Sequence, residues 1–140
     1  MGLRILLIDD SEADRLYTHI VLERSGAAAE VLEYESAREA LADLARGSIS
    51  VDLILLDINM PGMNGFEFLE AYQRLPGSCD ALAPQTPKAA TIVMLTSSPD
   101  PVDRQRALAH ECVKGYVTKP IDTEAARGLL RYLPTATGGP

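Results

Sequence analysis

Apolar runs that suit strands alternate along this chain with polar-and-apolar spacings that suit helices. The first run, Leu3 to Ile8, stops at Asp9 and Asp10. Ser11-Glu12-Ala13-Asp14 then reads as a helix start, with a serine to accept from backbone amides and an acid favoured by the helix dipole. Ala13, Leu16, Tyr17 and Ile20 recur at helical spacing, and Gly26 can close the helix in the left-handed conformation. A short strand is predicted over 30–34. A second helix starts at Ser36-Ala37-Arg38-Glu39, turns Ala40, Leu41 and Leu44 inward and stops at Gly47.

The run 51–56 is nearly all apolar, as a parallel strand covered on both faces should be, and ends at Asp57. Asn59 to Gly65 has turn chemistry throughout. A helix over 65–75 buries Phe68, Leu69 and Tyr72. The run 91–95 is the next buried strand, ending at Thr96, and a helix follows over 101–110. The run 114–117 leads through Thr118 to Lys119 and Pro120, and the last helix puts Ala126, Leu129, Leu130 and Leu133 on one face before Pro134.

Five strand–helix units in 134 residues predict an α/β fold. Right-handed crossovers and helices on both faces make it a doubly wound parallel sheet. The expected order is the flavodoxin-like 2-1-3-4-5, with the crevice at the carboxyl ends of strands 1 and 3, where Asp9, Asp10 and Asp57 stand. The domain is expected over 1–134, with a disordered tail over 135–140. The segment 76–88 holds three prolines and shows no period, so it reads as a surface insertion or a partner-contact loop.

Composition narrows the function. The chain has 140 residues, 46% hydrophobic and 24% charged, the balance of one globular domain. A net charge of −7 without a basic stripe argues against nucleic-acid binding. No apolar stretch approaches the roughly 20 residues that span a bilayer. The amino terminus is too short for a signal peptide, and Leu6 stands where a myristoylation motif wants Ser or Thr. Cys79 and Cys112, far apart and without histidine neighbours, read as reduced thiols of a cytoplasmic protein.

The four strand ends bring an acid pair, a lone acid, a hydroxyl and an amine to one edge. Three carboxylates so close raise one another's pKa unless a cation joins them, and Mg²⁺ is the cation suited to oxygen ligands and phosphate. An aspartate beside such an ion can attack a phosphoryl group and form an acyl phosphate. Lys119 supplies a positive charge and Thr96 a hydroxyl donor to the phosphoryl oxygens. Each motif alone has an ordinary reading as a cap, a turn or a solvated loop; their meeting at one edge carries the chemical one.

Ile5-Leu6-Leu7-Ile8-Asp9-Asp10, the stretch from Asp52 to Gly65, Met94-Leu95-Thr96-Ser97 and Gly115-Tyr116-Val117-Thr118-Lys119-Pro120 resemble the receiver domain of bacterial two-component response regulators, over about residues 3–133. The resemblance implies that Asp57 is the phosphoacceptor and that Asp9, Asp10 and the Asn59 backbone carbonyl hold Mg²⁺ with it. Thr96 and Lys119 would bind phosphoryl oxygens, Ser97 would lie beside them, and Lys119-Pro120 would be a cis peptide. Tyr116 would be a switch aromatic, turning inward when Thr96 moves toward the phosphate. The implied phosphodonor is a sensor histidine kinase or a histidine phosphotransfer protein, and the implied output an unknown downstream protein.

The sequence contains no DNA-binding or enzymatic module, which suits a stand-alone regulator or a part of something larger. A Mg²⁺-dependent phosphohydrolase is the enzyme alternative. In the haloacid dehalogenase manner, however, it would need a second acid two residues after the nucleophile on the first strand, where Ser11 stands. A pseudo-receiver that binds without phosphorylation is the third reading. His19 and His110 read as surface or capping residues. Arg104, Arg106, Glu124, Arg127 and Arg131 suit either a homodimer interface or the solvated faces of a monomer.

Overall fold

The computed structural model describes residues 2–75, 90–97 and 100–132. Among them, strands and helices alternate as β1 (Leu3–Ile8), α1 (Glu12–Ser25), β2 (Ala28–Tyr34), α2 (Ala37–Arg46), β3 (Leu53–Leu56), α3 (Gly65–Gln73), β4 (Thr91–Thr96), α4 (Pro101–Leu108), β5 (Val113–Thr118) and α5 (Thr123–Gly128), followed by a 3₁₀ turn, Leu129–Tyr132. The strands pair in parallel in the order β2-β1-β3-β4-β5. This is the doubly wound, flavodoxin-like sheet expected. The predicted tail and the 76–88 loop lie outside the described residues.

The central strands are apolar at successive positions because each faces two cores. Leu6, Ile8, Ile54, Leu56, Ile92 and Met94 pack with Ala40, Phe66, Phe68, Leu69 and Ala107 on one side. Leu3, Ile5, Leu7, Leu53, Leu55, Val93 and Leu95 pack with Leu22, Ala126 and Leu129 on the other. Side chains alternate across a strand, so each residue contributes to one layer or the other. At roughly 25 cal/mol per Å² of apolar surface, this double burial dominates the stability of the sheet.

Caps set the helix ends. The Ser11 hydroxyl accepts from the Asp14 amide at 3.3 Å and the Ser36 hydroxyl from the Glu39 amide at 3.2 Å. The full reciprocal box forms at Asn64 and Glu67, whose side chains each accept from the other's amide at 2.9 Å. Gly26 and Gly47 take left-handed conformations, φ 80° and 73°, and close α1 and α2.

Three expectations need correction. The spacing that predicts α1 marks its outer face: Leu16 is 60% exposed, Tyr17 47% and Ile20 39%. The buried residues of that helix are Thr18, Leu22 and Ser25. A helix so rich in apolar residues offers two stripes, and only the positions of its neighbours choose between them. The last helix is shorter than predicted, because it tightens into the 3₁₀ turn after Gly128. Finally, Cys112 is not a reduced thiol but disulfide-bonded, and Cys79, read in the same way, lies outside the described residues. Sequence spacing does not fix cysteine pairing, since the fold alone decides which sulfurs meet.

Candidate functional site

The register of the sheet builds the site. Ile8 lies opposite Leu56, and Leu56 opposite Met94, so the carboxyl ends of β1, β3 and β4 are level. Asp9 and Asp57 each follow the last residue of a strand, and Thr96 closes β4 two residues after Met94. Backbone hydrogen bonds anchor them: the Asp9 amide donates to Tyr34 O and the Asp57 amide to Ile8 O, both at 3.0 Å. Asp9, Asp57 and Thr96 are buried, while Asp10 and Asn59 are exposed at the rim.

Helix α3 approaches this edge closely because it begins with a glycine. A Cβ on Gly65 would stand 2.6 Å from Asp57 O and 2.9 Å from Ile58 Cα, both backbone atoms that cannot move aside. Gly65 N instead donates to Ile58 O at 2.9 Å, fixing the turn that carries Asp57 and Asn59.

The loop after β5 returns Lys119 to the same edge. Its amide donates to Thr96 O at 2.7 Å, and the Lys119–Pro120 peptide is cis. The Lys119 ammonium lies 2.6 Å from Asp9 Oδ2, 3.0 Å from Asp14 Oδ2 and 3.6 Å from Asp57 Oδ2. Asp9 is held at its other oxygen by the Ser11 amide, 2.9 Å away. Ser97 and Pro120 sit beside the ammonium and, with Asp14, Tyr17 and Thr18, line a recess of ≈ 260 Å³.

Carboxylates outnumber cations here. Carboxylate oxygens of Asp9, Asp10 and Asp57 all lie within 4.8 Å of one another, an arrangement able to hold a metal ion. Burial pushes the Asp57 carboxyl up; Lys119 and the Asn59 backbone amide pull it back, and Asp9 and Asp10 raise it further, to about 6. Burial alone would lower the Lys119 ammonium, but hydrogen bonds to Asp9 and Asp14 and the charges of Asp57 and Asp9 raise it above its ordinary value. Lys119 is therefore cationic, and the acids remain in excess. A hard, oxygen-seeking divalent cation such as Mg²⁺ suits this donor set, partly open at Asp10 and Asn59.

The sequence-predicted residues thus meet, with Tyr116 set apart. It stands opposite Met94 on β5, half-buried, with the Arg104 guanidinium 5.9 Å from its ring centre. His19 and His110 are elsewhere: His19 lies between Glu33 and Glu23, and His110 contacts Gln73. Two residues at the site escaped the sequence reading. Asp14, taken as a first-turn acid, pairs with Lys119, and the Arg15 guanidinium donates to Asp9 O at 2.7 Å. The available signal was position: both lie one helical turn beyond the acid pair, on a helix that starts at the site.

Known proteins resemble this chain in sequence and in fold. The family model described as the response regulator receiver domain matches residues 5–131. Protein PilH of Pseudomonas aeruginosa is 31% identical, across 97% of this chain and 98% of its own length. Ethylene receptor 2 of Oryza sativa is 31% identical across 91% of this chain, but the match spans only 15% of that receptor. Relatives thus include both plant and bacterial proteins. The chemotaxis response regulator CheY4 of Vibrio cholerae superposes with a TM-score of 0.70 at 30% identity, covering 95% of this chain and 100% of that one. A two-component response regulator from Cytophaga hutchinsonii superposes at 0.77 with 27% identity, covering 94% and 96%.

Proposed function

The chain belongs to the response regulator receiver family, and from that membership we propose that it is the phosphoacceptor of a two-component phosphorelay. Receiver domains accept phosphoryl groups from histidine kinases, and here the acceptor is Asp57. One observation carries the assignment: Asp57 is a buried carboxylate at the end of β3, flanked at once by the acid pair Asp9–Asp10 and by the Lys119 ammonium.

In the proposed step, an Asp57 carboxylate oxygen forms a bond to phosphorus. The bond from phosphorus to the donor's nitrogen or oxygen breaks, and its electron pair leaves with the donor. Asp9, Asp10, Asp57 and the Asn59 carbonyl would hold Mg²⁺, which would supply positive charge to the phosphoryl oxygens. Lys119 adds its ammonium, and the Thr96 hydroxyl donates to an oxygen. Drawing Thr96 toward the phosphate opens space behind it for Tyr116, whose ring turns inward and changes the surface near α4 and β5. That altered surface is the signal to a downstream protein.

The phosphodonor, a sensor histidine kinase or a histidine phosphotransfer protein, docks on the exposed side of α1. Tyr17 joins the recess beside Lys119, and Leu16 and Ile20 extend its apolar surface along the helix. No helix among the described residues is long and apolar enough to cross a membrane. The proposed location is the cytoplasm, where the kinase presents its phosphohistidine. With Cys112 disulfide-bonded, reduced thiols no longer support that placement.

The test is to incubate the chain with Mg²⁺ and a small acyl-phosphate donor and weigh the intact protein. A phosphoryl mass gain that needs Mg²⁺ and disappears in Asp57→Asn is expected. No gain would leave a phosphorylation-independent pseudo-receiver, and rapid turnover of unrelated phosphate esters would point to a phosphohydrolase.

A further inference from the structure

The Lys119 ammonium does not sit closest to the acceptor. It lies 3.6 Å from Asp57 Oδ2, but 3.0 Å from Asp14 Oδ2 and 2.6 Å from Asp9 Oδ2. Asp9 is buried and doubly bonded, so it is a fixed part of the site. Asp14 differs: its side chain is 48% exposed, it stands on the first turn of α1, and no step of phosphoryl transfer uses it. Its amide is held by the Ser11 hydroxyl, which sets the direction of the residue.

We infer that Asp14 is a positioning residue that competes with the phosphoryl group for Lys119. The inference rests on Asp57 being the acceptor. An ammonium has one compact charge to share. The contact with Asp14 draws it toward α1, and meeting phosphoryl oxygens on Asp57, now 3.6 Å away, works against that pull. Asp14 therefore favours the unphosphorylated state, and the strength of its hold sets how readily the site accepts and keeps a phosphoryl group. Asp14 is half-exposed although Lys119 is largely covered, so water screens the pair from one side and the effect is a tuning of several-fold and not an on–off lock. The carboxylate lies in the recess beside Tyr17, so a donor protein seated there would reach Asp14 and could relieve the competition as it docks.

The test measures the equilibrium affinity of the Mg²⁺-loaded full chain for beryllofluoride, a non-covalent mimic of the phosphoryl group, by titration calorimetry. Asp14→Asn is expected to bind the mimic about three-fold more tightly than the unsubstituted chain. Asp14→Glu keeps the charge within reach of Lys119 and should restore the original affinity. In a Lys119→Met background the gain from Asp14→Asn should vanish, because the competition acts through the ammonium. Equal affinities for Asp14→Asn and the unsubstituted chain would overturn the inference while leaving Asp57 as acceptor. An undiminished gain in the Lys119→Met background would also overturn it, since Asp14 would then act by its own charge alone. Failure of the unsubstituted chain to bind the mimic at all would overturn the phosphoacceptor reading, and this inference with it.

Discussion

Asp57 is placed where its own charge costs stability. Burial is the main cause, and it lifts the carboxyl to about 6 from its ordinary value near 4. A folded-state pKa above the unfolded one means that the folded protein binds the proton more tightly. The penalty is absent below about pH 4, grows between about 4 and 6, and is fully present above. Asp57→Asn should therefore stabilise the metal-free protein at pH 7.5, by an amount on the order of 2 kcal/mol. The gain should fade as the pH falls to 4, as chemical denaturation at the two pH values would show; a gain independent of pH would contradict it. The residues that bear chemistry were legible as types at strand ends. The partners chosen by side-chain direction were not: Asp14 read as a helix cap because only the folded chain shows Lys119 above it.

At the scale of elements, the strands were the most legible, since burial on both faces leaves continuous apolar runs. Helices were less so, and α1 shows why. Its apolar residues make two stripes, and a sequence period cannot say which one the sheet covers. Leu22 is buried against the β1 and β3 side chains, whereas Leu16 and Ile20 face outward. Leu22→Ala should cost about 2–4 kcal/mol in thermal or denaturant unfolding. Ile20→Asp should change stability by less than about 0.5 kcal/mol. If α1 is the docking face, it should slow transfer from a phosphohistidine protein about ten-fold and leave acceptance from a small acyl phosphate unchanged. Equal loss with both donors would place the defect in the acceptor site and not in docking.

For the whole molecule, the strand order and the meeting of four motifs at one edge followed from counting strand–helix units. The disulfide of Cys112 did not, because cysteine separation along the chain carries no distance. The folded edge gathers Asp9, Asp10 and Asp57, which an unfolded chain would scatter, so Mg²⁺ should bind the native state preferentially. At ten times its dissociation constant, the ion should stabilise the protein by about 1.4 kcal/mol, seen as a rise of a few degrees in melting temperature. Asp10→Asn alters an exposed side chain, so it should leave metal-free melting nearly unchanged while weakening the Mg²⁺-induced rise. An equal rise in both proteins would show that the ion binds elsewhere.

A phosphoryl group carried as an acyl phosphate on Asp57 can be located chemically. After incubation with Mg²⁺ and a small acyl-phosphate donor, borohydride reduces an aspartyl phosphate to homoserine, and peptide mass spectrometry finds the position. Homoserine at position 57, absent when Mg²⁺ is withheld, is the result predicted. Homoserine at position 9, 10 or 14, or a phosphoryl mass gain that leaves no homoserine at all, would contradict the assignment of Asp57.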